Sequence, residues 1–213
     1  MAELSDQIVS IALDDVALEG ALNVPETATG LVVFAHGSGS SRKSPRNTYV
    51  ARVIRDERLG TLLFDLLTET EDQSRDARFD ISLLTDRLVA VTKWLQTRSD
   101  VQDLPVGYFG SSTGAAAALR AAARLPDAVR TVVSRGGRVD LAANVLPQIQ
   151  ASCLFIVGGA DTQVLQLNRD AYARLSSKKE LHVVDGAGHL FEGPGELEEV
   201  AEKAADWFSE KLH

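Results

Sequence analysis

Gly110-Ser111-Ser112-Thr113-Gly114 follows the pattern G-x-S-x-G. The apolar run Val106-Gly107-Tyr108-Phe109 precedes it, and the strongly helix-forming segment Ala115-Ala116-Ala117-Ala118-Leu119-Arg120-Ala121-Ala122-Ala123-Arg124 follows. A serine at the apex of such a strand-to-helix turn exposes its Oγ and can act as a nucleophile. Gly110 and Gly114 carry no Cβ and so relieve the crowding of a sharp turn. The helix behind the turn would direct free N–H groups and a partial positive charge at any anion formed there. The pentapeptide alone fits a glycine-rich connection without chemistry equally well, so the rest of the chain has to decide.

Ligands of an open parallel sheet bind beyond the carboxyl ends of its strands, so the residues that follow each strand carry the argument. The apolar run Leu31 to Ala35 leads into His36-Gly37-Ser38-Gly39-Ser40-Ser41. Acyl transfer needs two N–H donors about 3 Å from the developing oxyanion. The expected pair is the backbone N–H of Thr113 and that of Ser38. His36 reads as a loop-orienting histidine. Cys153 to Gly158 leads into Gly159-Ala160-Asp161, and Leu181 to Val184 into Asp185-Gly186-Ala187-Gly188-His189. Ser112, Asp161 and His189 thus follow three strands in the order nucleophile, acid, base. In such a triad His189 takes the Ser112 proton and returns it to the leaving group, while Asp161 fixes the imidazole tautomer. Asp140 and Asp185 are the rival acids; Asp185 stands too near His189 in sequence to reach it easily. Arg135 and Arg138 follow another strand, and Arg42 and Arg46 follow the oxyanion loop. Arg135 and Arg42 are the candidates to bind a substrate carboxylate, against the alternative of salt bridges to neighbouring acids or exposure to solvent.

The elements that must position these residues alternate in type. Ile8 to Leu13 and Val16 to Val24 alternate in polarity around Asp14-Asp15 and predict a hairpin. The later strands, Leu31 to Ala35, Thr61 to Leu66, Val106 to Gly110, Arg130 to Ser134, Cys153 to Gly158 and Leu181 to Asp185, are largely continuous apolar runs, as expected of strands covered on both faces. Between them lie predicted helices over Ser44 to Leu59, Phe79 to Arg98, Thr113 to Leu125 and Val164 to Leu175, with Glu196 to Lys211 last. Ser44 is the expected cap of the first, with Pro45 at its first position, and Asp80 a candidate cap of the second. The polar stretch Glu69 to Asp76 is expected to be a solvated loop. The fold class is therefore α/β: a doubly wound, mostly parallel sheet with an N-terminal antiparallel hairpin, in one domain over 1–213.

Composition narrows the function classes. The net charge of −8 disfavours nucleic acid and anionic membrane surfaces as partners. Cys153 is the single cysteine, so no internal disulfide exists, and its apolar neighbours mark it as a core residue. The N-terminal residues lack the apolar stretch of a signal peptide, and no run approaches the ~20 apolar residues of a membrane span, so a cytoplasmic location is expected. No His, Cys and Asp spacing suggests a metal, no glycine pattern fits a dinucleotide or phosphate loop, and no cofactor is expected.

On His36-Gly37-Ser38-Gly39, Gly110-Ser111-Ser112-Thr113-Gly114, Gly158-Gly159-Ala160-Asp161 and Gly188-His189-Leu190-Phe191, the chain resembles an α/β-hydrolase over nearly its whole length, and within that superfamily the small dienelactone-hydrolase-like group. That group typically uses a cysteine nucleophile where this chain has Ser112, so what carries over is the fold and ester-hydrolase chemistry. The short connections leave no room for the helical lid that many lipases insert, which implies an open site. The expected activity is a serine hydrolase cleaving small carboxylic esters or lactones through an acyl-enzyme. Its partner is a small-molecule ester, anionic if the arginines take part, and the protein is expected to be a monomer or homodimer. The rival reading is a scaffold of the same fold, natural or engineered, that binds a ligand or partner without catalysis.

Overall fold

The computed structural model describes residues 6–212. Eight strands form one sheet: β1 (Gln7–Ala12), β2 (Ala17–Asn23), β3 (Leu31–Ala35), β4 (Gly60–Phe64), β5 (Val106–Ser111), β6 (Val129–Arg135), β7 (Ser152–Gly158) and β8 (Lys179–Val184). Their order across the sheet is β1-β2-β4-β3-β5-β6-β7-β8. β1 pairs antiparallel with β2, and β2 with β4; every later pairing is parallel. The α/β class, the mostly parallel sheet and the N-terminal hairpin are all as the sequence predicts.

The helices are α1 (Pro45–Asp56), α2 (Arg75–Phe79), α3 (Ile81–Leu95), α4 (Thr113–Arg124), α5 (Thr162–Arg174) and α6 (Glu196–Lys211). The apolar strands read as continuous because each feeds two cores. In β3, Leu31, Val33 and Ala35 face the core shared with α3 and α4, while Val32 and Phe34 face the one shared with α1 and α6. Side chains of successive strand residues point to opposite faces, so a strand covered on both sides has no polar position to spare.

Local signals start and stop these helices. Ser44 caps α1 by accepting from the Asn47 N–H, with Pro45 at the first helical position. Asp80 caps α3 through the N–H groups of Ser82 and Leu83, both at 3.0 Å. That cap starts α3 at Ile81, two residues later than the apolar periodicity suggests. One expectation needs correction. The segment from Glu69 to Asp76 is not a simple loop: Glu71–Gln73 forms a 3-10 turn, and Ser74 caps α2. Glu71 receives the Thr68 N–H and pairs with Arg87, while Arg78 forks onto Asp72. Charged side chains tie this polar segment down, where an apolar stripe would normally do so.

Candidate functional site

β5 delivers its chain to the site through a strained turn. Ser112 has φ 51 and ψ −118, one of only three non-glycine residues at positive φ among those described. Such a conformation costs on the order of 1–3 kcal/mol and persists only where surrounding structure fixes it. Here the Ser112 N–H donates to the Arg135 carbonyl at 3.1 Å, and the Ser112 carbonyl accepts from Ala115 and Arg138. Gly114 makes the turn possible: a Cβ there would lie 2.1 Å from the Ala35 carbonyl oxygen. Ser111 faces inward, buried, with its hydroxyl 3.4 Å from Asn47 Oδ1 of α1. The two serines are therefore not equivalent; Ser112 is the partly exposed one at the apex.

Asp161 and His189 come together from the ends of β7 and β8. His189 Nδ1 lies 2.6 Å from Asp161 Oδ2, a charge-assisted donor–acceptor distance. Asp161 also caps α5: its Oδ1 accepts from the Val164 N–H. This second role explains why α5 begins at Thr162, two residues before the expected start. The imidazole lies over the turn after β6, where a Cβ on Gly136 (φ 52) would fall 3.3 Å from His189 Cε1. That turn is the one that holds the Ser112 N–H through Arg135, so serine and histidine rest on a shared backbone support. Among the described residues no direct hydrogen bond joins the Ser112 hydroxyl to His189; such contacts often tighten only with substrate bound. The rival acid Asp140 is occupied by a two-pronged pairing with Arg138, both contacts at 2.9 Å, which holds its carboxyl below the usual range. Asp185 is exposed.

The candidate oxyanion loop packs against the turn. His36 is buried; its Nε2 accepts from the Leu66 N–H at 3.0 Å, which leaves the proton on Nδ1 to donate to the Gly37 carbonyl. Burial holds its pKa below the ordinary histidine value, so it orients the loop as a neutral ring. Thr113 opens α4, where the first N–H groups have no intrahelical partner. The Ser38 N–H, expected to face the oxyanion unencumbered, instead donates to Thr113 Oγ1 at 2.9 Å. Sequence reasoning missed this contact, which spans 75 residues of chain.

The arginines divide. Arg42, expected as a substrate ligand, has its guanidinium paired with Asp65 and Glu19, and its backbone N–H also donates to Asp65. Glu19 of β2 and Asp65 just after β4 neutralise it, and it lines one wall of a cleft of about 600 Å³ beside the candidate oxyanion loop. Arg46 joins α1 to the histidine loop through the Leu190 carbonyl and Glu192. Arg135 differs from both. Its Nε and Nη1 are shut off from solvent and find no hydrogen-bond partner among the described residues. Burial and the nearby Arg46 charge lower its pKa to about 10, which still leaves it cationic at neutral pH. The guanidinium lies over the ring of Phe191, 6.0 Å from its centre, on a residue itself held at φ 55. Only the paired glycines after Arg135 hinted in sequence at so tight a junction. No group of three or more His, Cys, Asp or Glu residues stands in a metal-holding arrangement among the described residues.

Sheet order, turn and strand-end residues together define an α/β-hydrolase. Residues 65–212 match the model of the dienelactone hydrolase family, and the chain belongs to that family. A crystal structure of a dienelactone hydrolase from Anabaena variabilis superposes with a TM-score of 0.96 at 51% identity, covering 98% of each chain. A serine hydrolase homologue from Coxiella burnetii shares the fold at 20% identity, TM-score 0.80, over 97% of this chain and 99% of its own. A curated relative from Mycobacterium tuberculosis is 55% identical over 98% of this chain. It bears the provisional name phosphoribosyl transferase, and the chain spans 47% of its length. No helix among the described residues is long and apolar enough to cross a membrane.

Proposed function

We propose that the protein is a serine hydrolase that cleaves small carboxylic esters or lactones through an acyl-enzyme. Ser112 is the nucleophile, His189 the general base and then acid, and Asp161 the residue that orients and stabilises the imidazolium. The observation that carries this reading is the strained Ser112 at the head of α4, since a turn this costly has no packing purpose that a glycine would not serve better. The short Asp161–His189 contact supports it. In the first step the Ser112 Oγ–carbon bond forms while its proton passes to His189 Nε2. The carbonyl electron pair moves to oxygen and returns as the bond to the leaving oxygen breaks, and that oxygen takes the proton from His189. Water then repeats the sequence on the acyl-enzyme and releases the acid.

The substrate in this reading carries an anionic group, and Arg135 is what favours it. Its Nε and Nη1 are closed off from water without a partner, which is costly, and a planar fork of donors suits an oxyacid. Among the described residues His189 is exposed and Ser112 partly so, which leaves the pair accessible to a small ester. A panel of p-nitrophenyl esters and lactones, neutral and carboxylate-bearing, run against the wild type and Ser112→Ala tests the proposal. Hydrolysis by the wild type alone is expected; equal rates for the two proteins would refute it.

A further inference from the structure

The engaged Ser38 N–H has a chemical consequence. That amide donates to Thr113 Oγ1, so the threonine oxygen serves as acceptor, and its hydroxyl hydrogen remains to be given. Three other buried threonines, Thr85, Thr92 and Thr131, give theirs to the backbone carbonyls of Ile81, Leu88 and Ser152, whereas that of buried Thr61 has no partner among the described residues. Thr113 is as buried as they are, yet no acceptor stands opposite its hydroxyl among the described residues. As the first residue of α4 it has no helical carbonyl four residues back to receive the hydrogen. A buried donor without a partner is unfavourable until an acceptor arrives. The residue lies one peptide from Ser112, and its oxygen accepts the Ser38 N–H that the sequence assigns to the oxyanion.

We propose that the Thr113 hydroxyl is itself an oxyanion donor. This rests on the serine-hydrolase reading above. Ser38 N–H donates to Thr113 Oγ1, and the Thr113 O–H donates to the substrate oxygen as the carbonyl pair moves onto it. Thr113 thus serves the oxyanion twice, through its backbone N–H and its side chain, and Ser38 acts one step back. Donors in series polarise one another, so the amide strengthens the hydroxyl it feeds. No atom changes owner in this part of the step: both hydrogen bonds form with the tetrahedral intermediate and loosen as it collapses.

The test measures kcat and KM on p-nitrophenyl acetate for the wild type, Thr113→Val and Thr113→Ser. Active protein is counted by fluorophosphonate titration, and folding is checked by thermal melting. Valine keeps the shape and removes the hydroxyl. Loss of one oxyanion donor is expected to lower kcat by about 10²- to 10³-fold with KM little changed. Thr113→Ser, which keeps the hydroxyl, is expected to recover most of that loss. A Thr113→Val enzyme with kcat within a few-fold of wild type overturns the proposal and returns the donor role to the Ser38 N–H. A loss that tracks the melting temperature and is not rescued by serine also overturns it, making Thr113 a latch on the loop. Wild-type protein that neither hydrolyses the ester nor takes the fluorophosphonate would sink the hydrolase reading itself, a separate outcome.

Discussion

Asp161 performs two local tasks, and a conservative change separates them. Asp161→Asn keeps an oxygen for the α5 cap but presents an amide to His189. Turnover is expected to fall by up to about 10⁴, because the amide favours the wrong imidazole tautomer. Asp140→Asn, which only releases Arg138, is expected to leave kcat near wild type; steady-state kinetics of the two variants checks both statements. Arg135 offers a test in which stability and function move in opposite directions. Arg135→Met keeps the stem and removes a partly buried guanidinium whose Nε and Nη1 lack partners, so the melting temperature is expected to rise. The same change is expected to lower kcat/KM for carboxylate-bearing esters by about 1.5–3 kcal/mol more than for neutral esters of equal size. Equal losses on both substrates, or a lower melting temperature, would make Arg135 a structural residue.

At the scale of elements, the site depends on loops held by buried polar contacts. The oxyanion loop hangs on His36, whose neutral ring bridges Leu66 and Gly37. Burial lowers the folded-state pKa, so on acidification the unfolded chain takes up this proton first. The contribution to stability is fully present above the free histidine value near ~6.5 and is lost as pH falls below it. Urea midpoints are expected to drop between pH 7 and 5.5 in the wild type, and this part of the slope to vanish in His36→Gln. A wild-type midpoint flat over that window would contradict the assignment. The elements themselves were largely legible in the sequence, for physical reasons. Apolar runs of five to seven residues mark strands buried on both faces, and Ser44, Pro45 and Asp80 mark helix starts by their caps. The turn at Glu71–Gln73 and helix α2 were not legible. Their supports are Arg87 and local ion pairs, which leave no apolar period to read.

At the scale of the whole molecule, the sheet explains which candidate site residues the sequence could indicate. Strand-end position alone picks out Ser112, Asp161 and His189, because a parallel sheet gathers the carboxyl ends of its strands at one edge. What could not be read was partnership across the sheet. Arg42 meets Glu19 of β2 and Asp65 beyond β4, Arg135 meets no carboxylate among the described residues, and Thr113 meets Ser38. Each outcome depends on side-chain direction, which spacing along the chain does not encode. Cys153 shows the sheet's protective side: buried in β7, its thiol is pushed up to about 12, where thiolate is scarce at neutral pH. A folded protein inert to thiol reagents, becoming reactive only in denaturant, is the expected result.

The central claim is that Ser112, and not its neighbour Ser111, is the nucleophile. Labelling with a fluorophosphonate followed by peptide mass spectrometry tests it most directly. The account predicts a single adduct on Ser112, retained in Ser111→Ala, whose lost hydroxyl faces only Asn47, and absent in Ser112→Ala. The hydrolysis rate of Ser112→Ala should fall in parallel, by a factor approaching ~10⁶. An adduct on Ser111, or a wild-type protein left unlabelled, would contradict it.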